Sequence, residues 1–126
     1  MSERQKILLV DDDPELVFRV RQVLDDGYEV HATADWAELN TRVFREGVAL
    51  ILMDVNLPVL RGDQLVKVLT GVSKKTGVRP RILYYSAEDD AKMARLVRET
   101  GADGYVSKSA RPAELIAAIE AALKPS

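Results

Sequence analysis

The stretch Ile7-Leu8-Leu9-Val10-Asp11-Asp12-Asp13-Pro14 decides the fold. Its first half is an unbroken aliphatic run with no polar residue in alternation. Such a run suits a strand buried on both faces, as in a parallel sheet covered by helices. Its second half turns from strand to helix. Asp13 before Pro14 has the form of an N-cap followed by proline at the first helical position. Leu16, Val20, Val23 and Leu24 then recur at helical spacing, and Gly27 stops the helix. The unit is therefore strand, acidic turn, helix.

The same unit returns along the chain. Val48 to Met53 is a second aliphatic run, ending in Asp54. Ile82 to Tyr85 is a third, ending in Ser86. Tyr105 and Val106 form a weaker fourth, ending in Ser107 and Lys108, and Val30 to Ala32 reads as an extra strand. Between these runs lie helical patterns. Asp35 with Glu38 has capping-box spacing before Leu39 and Val43, and Gly47 closes that helix. A helix from Gly62 carries Leu65, Val66 and Leu69. Another runs from Glu88 to Thr100 with Gly101 at its end. The last runs from Pro112 to Leu123 with Leu115, Ile116, Ile119 and Leu123 inward. Strands alternating with helices imply right-handed crossovers and a three-layer α/β sandwich.

The 126 residues suit a single domain over 1–126, and no linker, repeat or low-complexity tract divides them. Hydrophobic residues at 47% and charged residues at 30% are ordinary for a globular domain. A net charge of -2 gives no global attraction to nucleic acid or an anionic membrane. The basic residues Lys74, Lys75, Arg79 and Arg81 read as a solvated connection. The absence of cysteine removes disulfides, thiolate metal sites and a cysteine nucleophile. A single histidine, His31, leaves histidine-rich zinc sites without their parts, and its mid-strand place fits a surface or packing residue better than a phosphohistidine. No signal peptide and no apolar run of transmembrane length is present, so a cytoplasmic location is the expectation.

Ligands of open parallel sheets sit beyond the carboxyl ends of the strands. Asp11, Asp12, Asp54, Ser86 and Lys108 all fall there. An acid after a strand is often only a turn or cap residue, which is the reading for Asp13. Asp54 differs, because it ends an apolar run and its carboxylate is costly to bury unless paired. Clustered carboxylates call for a hard cation with oxygen ligands, and so few of them suit Mg2+ better than a full calcium cage. Such a site screens an incoming phosphoryl group. Lys108 would pair with the phosphoryl oxygens, Ser86 would donate a hydrogen bond to one of them, and Asp54 would be the carboxylate nucleophile of an acyl phosphate.

The order of these residues resembles the response-regulator receiver family over essentially the whole chain. That family carries an acidic pair after the first strand, a phosphoacceptor aspartate after the third, a serine or threonine after the fourth and a lysine after the fifth. Met53-Asp54-Val55-Asn56-Leu57-Pro58 with Gly62 is similar to its phosphorylation loop. Ser86-Ala87-Glu88 resembles its hydroxyl-bearing turn, and Gly101-Ala102-Asp103-Gly104-Tyr105 the segment before its lysine. The resemblance implies a flavodoxin-like (βα)5 fold with strand order 2-1-3-4-5. It implies phosphorylation of Asp54 by a histidine kinase or histidine phosphotransfer protein, with Mg2+ held by Asp11, Asp12, Asp54 and the main-chain carbonyl of Asn56. Ser86 and Tyr105 would form the switch pair, and Asn56 and Glu88 would govern the lifetime of the phosphoryl group. The domain would catalyse its own phosphorylation and dephosphorylation without being a dedicated turnover enzyme. It would act on an output protein or effector domain that the sequence does not identify, with no direct contact to nucleic acid or membrane. The final helix, Ala-rich at Ala117, Ala118, Ala121 and Ala122, lacks the arginines that pair receivers of the winged-helix class.

Two positions depart from the family pattern. Ser109 follows Lys108 where proline is usual, and Arg61 precedes Gly62 where an acid is frequent. The family's lysine-proline bond is commonly cis. Before a residue other than proline, cis costs about 2.5–4 kcal/mol, so Lys108-Ser109 is expected to be trans. The serine N-H then needs a partner if it is buried. The competing readings are a pseudo-receiver that signals without phosphorylation, an aspartyl phosphohydrolase and a flavin carrier. The second would need a substrate-capping domain that the sequence does not show, and the third lacks a Gly/Ser/Thr-rich phosphate loop after the first strand.

Overall fold

The computed structural model describes residues 4–34, 47–54 and 80–124. Helix readings at Asp35–Val43 and at Gly62–Leu69 lie outside these residues. So do the phosphorylation loop beyond Asp54, the Arg61 departure, and Lys74, Lys75 and Arg79.

Five strands form one parallel sheet in the order β2-β1-β3-β4-β5. They are β1 (Gln5–Val10), β2 (Tyr28–Thr33), β3 (Val48–Met53), β4 (Arg81–Ser86) and β5 (Gly104–Ser107). Three helices are described, α1 (Pro14–Leu24), α2 (Asp90–Thr100) and α3 (Pro112–Leu123). The continuous aliphatic runs are buried as expected, with Ile7 to Val10 and Leu50 to Met53 sealed from solvent.

Alternation along each strand sorts the core into two layers. Ile7, Leu9, Leu50, Leu52, Leu83 and Tyr85 face α1 and α3, against Leu16, Val20, Leu24, Leu115 and Ile119. Leu8, Val10, Ile51, Met53, Ile82 and Tyr84 face the other way, against Met93 of α2. Helices on both faces explain why the strands carry no polar alternation.

The caps fix where the chain turns. Asp13 accepts the Glu15 N-H at 3.0 Å with Pro14 beginning α1. That helix ends at Leu24, short of Gly27, and the Asp25 N-H closes on the Arg21 carbonyl. The helix expected from Glu88 starts instead at Asp90. Asp89 is its N-cap, accepting the Lys92 N-H at 2.8 Å, because Glu88 is still in the turn that Ser86 organises. Gly101, with φ 81°, supplies the left-handed residue that ends it. The strand expected at Val30 to Ala32 is longer, Tyr28–Thr33, and is an edge strand. Among the described residues no helix is long and apolar enough to cross a membrane.

Candidate functional site

Register places the ends of β1, β3 and β4 side by side, since Val10 pairs with Met53 and Met53 with Tyr84. Asp11 and Asp54 therefore follow side by side at one rim, and β4 runs two residues past Tyr84 to Ser86. The Asp11 N-H donates to the Thr33 carbonyl at 3.1 Å and the Asp54 N-H to the Val10 carbonyl at 3.2 Å, which carries the ladder one step past the strands. On the far side the Lys108 N-H donates to the Ser86 carbonyl at 2.9 Å.

These anchors bring three charged groups together. The Lys108 ammonium donates to Asp54 Oδ2 at 3.1 Å and lies 3.0 Å from Asp11 Oδ2. The Asp11 carboxylate is almost fully enclosed, and its Oδ1 accepts the Asp13 N-H at 3.0 Å. Its Oδ2 is sealed from water and receives no hydrogen bond. The contact with Lys108 is short, but its geometry makes it an ion pair rather than a directed bond. Asp54 and Lys108 keep 13% and 25% of their side-chain surface, so the pair is reachable from solvent while still poorly screened. Burial works to lower the Lys108 pKa. The adjoining Asp11 and Asp54 carboxylates outweigh it, and the net shift is upward, keeping the ammonium charged.

Asp12 is exposed beside this pair, on a groove of about 480 Å³ that also runs along Val17, Phe18, Thr33 and Ala34. Among the described residues, no three acidic or histidine side chains converge closely enough to hold a metal ion between them. The cation joining Asp11 and Asp54 here is Lys108. Asn56 lies outside the described residues. The donor set still fits a hard divalent ion, because the sealed Asp11 Oδ2 is met by the Lys108 charge and not by a directed hydrogen bond, so a metal ion could take the ammonium's place on the same oxygens.

Ser86 is buried at the end of β4, and its Oγ accepts the Glu88 N-H at 3.2 Å. A hydroxyl that accepts one bond retains its own hydrogen to donate. The Glu88 carboxylate stands 3.4 Å from the Lys92 ammonium, one helical turn on, at the surface. Tyr105 is half-buried and packs into the layer under α2. His31 pairs with Glu29 at 3.1 Å on the edge strand, away from the rim.

The Lys108-Ser109 bond is trans, as expected, and no cis bond occurs among the described residues. The Ser109 N-H finds its partner in Ser107 Oγ at 3.1 Å, and the two hydroxyls bond at 2.8 Å. This serine bracket replaces the shape that a proline would impose. Pro112 begins α3, where the Arg111 N-H donates to Glu114 Oε1 at 3.2 Å.

Sequence reasoning missed two features. Phe18 is the exposed large hydrophobic of the described residues, 61% open at the rim. Its place off the Leu16-Val20-Leu24 stripe was the available signal. Tyr85 sits behind the lysine in a cavity of about 140 Å³ with Arg19, Val20, Lys108 and Leu115. Burial raises its phenol pKa, against the lowering effect of Arg19 and Lys108.

The comparisons agree on one family. The sequence family described as "Response regulator receiver domain" matches residues 7–120. The DNA-binding response regulator MtrA of Mycolicibacterium smegmatis is 36% identical over 122 residues, which are 96% of this chain and 51% of that protein. The chain thus spans about half the length of the curated relatives it matches. Among solved structures, the chemotaxis protein CheY4 of Vibrio cholerae aligns with a TM-score of 0.83 at 29% identity, over 96% of this chain and 100% of that one. The receiver domain of the TMAO respiratory system response regulator TorR aligns with a TM-score of 0.79 at 30% identity, over 93% and 94%.

Proposed function

This chain belongs to the response regulator receiver domain family, and from that premise we propose that residues 1–126 form one receiver unit, a phosphorylation-dependent switch of a two-component system with Asp54 as phosphoacceptor. The observation that carries the assignment is the Lys108 ammonium held between Asp11 Oδ2 and Asp54 Oδ2 at 3.0 and 3.1 Å.

In the proposed reaction an Asp54 carboxylate oxygen attacks phosphorus. The new bond forms as the bond from phosphorus to the donor's imidazole nitrogen breaks, and the freed nitrogen takes a proton from water. Lys108 turns from the carboxylates to the phosphoryl oxygens, and Ser86 donates its hydroxyl hydrogen to one of them. Mg2+, when bound, neutralises the charge crowded onto the phosphoryl group; Asp11, Asp12, Asp54 and the Asn56 carbonyl would hold it. Hydrolysis returns the carboxylate, and Asn56 and Glu88 set the access of water. Ser86 and Tyr105 carry the change to the surface of α2, β5 and α3.

The phosphodonor partner is a histidine kinase or histidine phosphotransfer protein, and the output is an effector domain or separate protein. DNA binding belongs to the MtrA relatives. The net charge of -2 gives no global attraction to nucleic acid or an anionic membrane, which supports a protein partner for this unit without membrane contact; a cytoplasmic location goes with that reading. Acetyl phosphate with Mg2+ should add one phosphoryl group by intact mass, and Asp54→Asn should abolish it. Equal mass gain in both proteins would remove Asp54 from the role.

A further inference from the structure

Tyr84 and Tyr105 stand side by side. They are register partners of the parallel β4–β5 ladder, so their side chains share a face, and both pack in the layer under α2 with Met93, Leu96 and Val97. Ser86 lies two residues beyond Tyr84 and shares that face. Inward movement of Tyr105 towards Ser86 therefore runs along the Tyr84 ring.

Tyr84 is fully buried, and its hydroxyl is committed. It donates to Thr100 Oγ1 at 2.8 Å, and Thr100 donates in turn to the Leu96 carbonyl at 2.8 Å. This chain of two bonds ties a core tyrosine to the last turn of α2. The same turn is closed by the Gly101 N-H on the Val97 carbonyl at 3.0 Å. A buried phenol gives up this bond only at the cost of one hydrogen bond or of a shift of the helix, so the tie is made or broken rather than stretched.

We propose that the Tyr84–Thr100 hydrogen bond is a latch on this domain's switch. Latched, the Tyr84 ring holds the space beside Tyr105. Tyr105 moves inward only when the last turn of α2 shifts and the bond opens. The proposal rests on the reading of Ser86 and Tyr105 as the switch pair. It adds where the signal emerges, at residues 96–101, and what resists it.

Amide hydrogen exchange on the intact chain tests this, with beryllofluoride and Mg2+ as the probe for the phosphorylated state. At rest, Tyr84→Phe and Thr100→Val should each speed exchange at 96–101 roughly three- to tenfold, the factor of one net hydrogen bond. Thr100→Ser, which keeps the hydroxyl, should retain wild-type protection. Beryllofluoride should produce the same acceleration in wild type and little further change in Tyr84→Phe. Tyr105→Ala should remove the acceleration on beryllofluoride addition, which a merely structural bond would not. Fluorine NMR reports separately whether beryllofluoride binds. Its failure to bind wild type would overturn the Asp54 reading and leave the resting comparison to judge the latch. Wild-type protection in resting Tyr84→Phe would overturn the latch, as would bound beryllofluoride with exchange at 96–101 unchanged.

Discussion

Lys108→Met replaces the ammonium with an apolar side chain of similar length. It leaves the sealed Asp11 Oδ2 without its ion pair and takes from Asp54 Oδ2 the hydrogen bond of the ammonium. Removing one partner of a buried ion pair costs about 3–5 kcal/mol. Lys108 keeps a quarter of its side-chain surface, so about 3 kcal/mol, the low end of that range, is the expected loss in metal-free buffer at neutral pH. For a domain of this size that corresponds to a fall in Tm of about 10 °C. The loss should shrink in millimolar Mg2+, which supplies positive charge to the same oxygens, so Mg2+ should raise the Tm of Lys108→Met more than that of wild type. The loss should shrink at alkaline pH as well. The folded Lys108 pKa lies above its ordinary 10.5, so its contribution is complete below that value and is lost as pH rises through the folded pKa. Lys108→Met should lack this decline. Denaturant melts across pH, with and without Mg2+, measure each arm. A variant as stable as wild type in metal-free neutral buffer would refute the charge-bridging argument.

Asp12→Asn removes an exposed like charge next to Asp11; it should raise metal-free stability slightly and weaken Mg2+ binding, read by thermal melts against a Mg2+ titration. A lower metal-free Tm would count against repulsion at this rim. Dephosphorylation of the Asp54 phosphoryl group, followed by loss of mass, should slow when Asn56 and Glu88 are both replaced by bulky or basic residues. Tyr105→Ala should disrupt binding of the output partner in a pull-down or titration with the phosphorylated protein, and unchanged binding would make Tyr105 only a packing residue.

Much of this was legible in sequence because burial on both faces leaves a simple mark. The runs Ile7 to Val10 and Val48 to Met53 suit a covered parallel sheet, and the residue after each run is carried to the rim by the strand itself. Asp11, Asp54 and Lys108 could be named from that rule. Their partnership could not. Nothing local to Lys108 says that it bridges Asp11 and Asp54; register between strands far apart in sequence does. The late start of α2 was hidden similarly. Glu88 is a good helix former, but the Ser86 hydroxyl captures its N-H and Asp89 offers a better cap. Tyr84 looked like one more apolar strand residue, because a hydrogen bond to Thr100 leaves no trace in hydrophobic periodicity. The trans Lys108-Ser109 bond was legible from covalent energetics alone, whereas the Ser107 bracket that shapes the loop was not.

The strand order has a mechanical consequence. β3 lies between β1 and β4, so the backbone that delivers Asp54 is clamped on both sides. β5 is four residues long, lies at the edge and has a single ladder, so the backbone that delivers Lys108 is clamped on one side only. The domain thus works like a vice with one fixed jaw and one sliding jaw. In the proposed reaction the carboxylate to be modified would sit on the stiff centre, and the cation that changes partners on the compliant margin. Displacing Lys108 would load the β4–β5 ladder and the packing of α2 and α3 on β5 before it loaded the middle of the sheet.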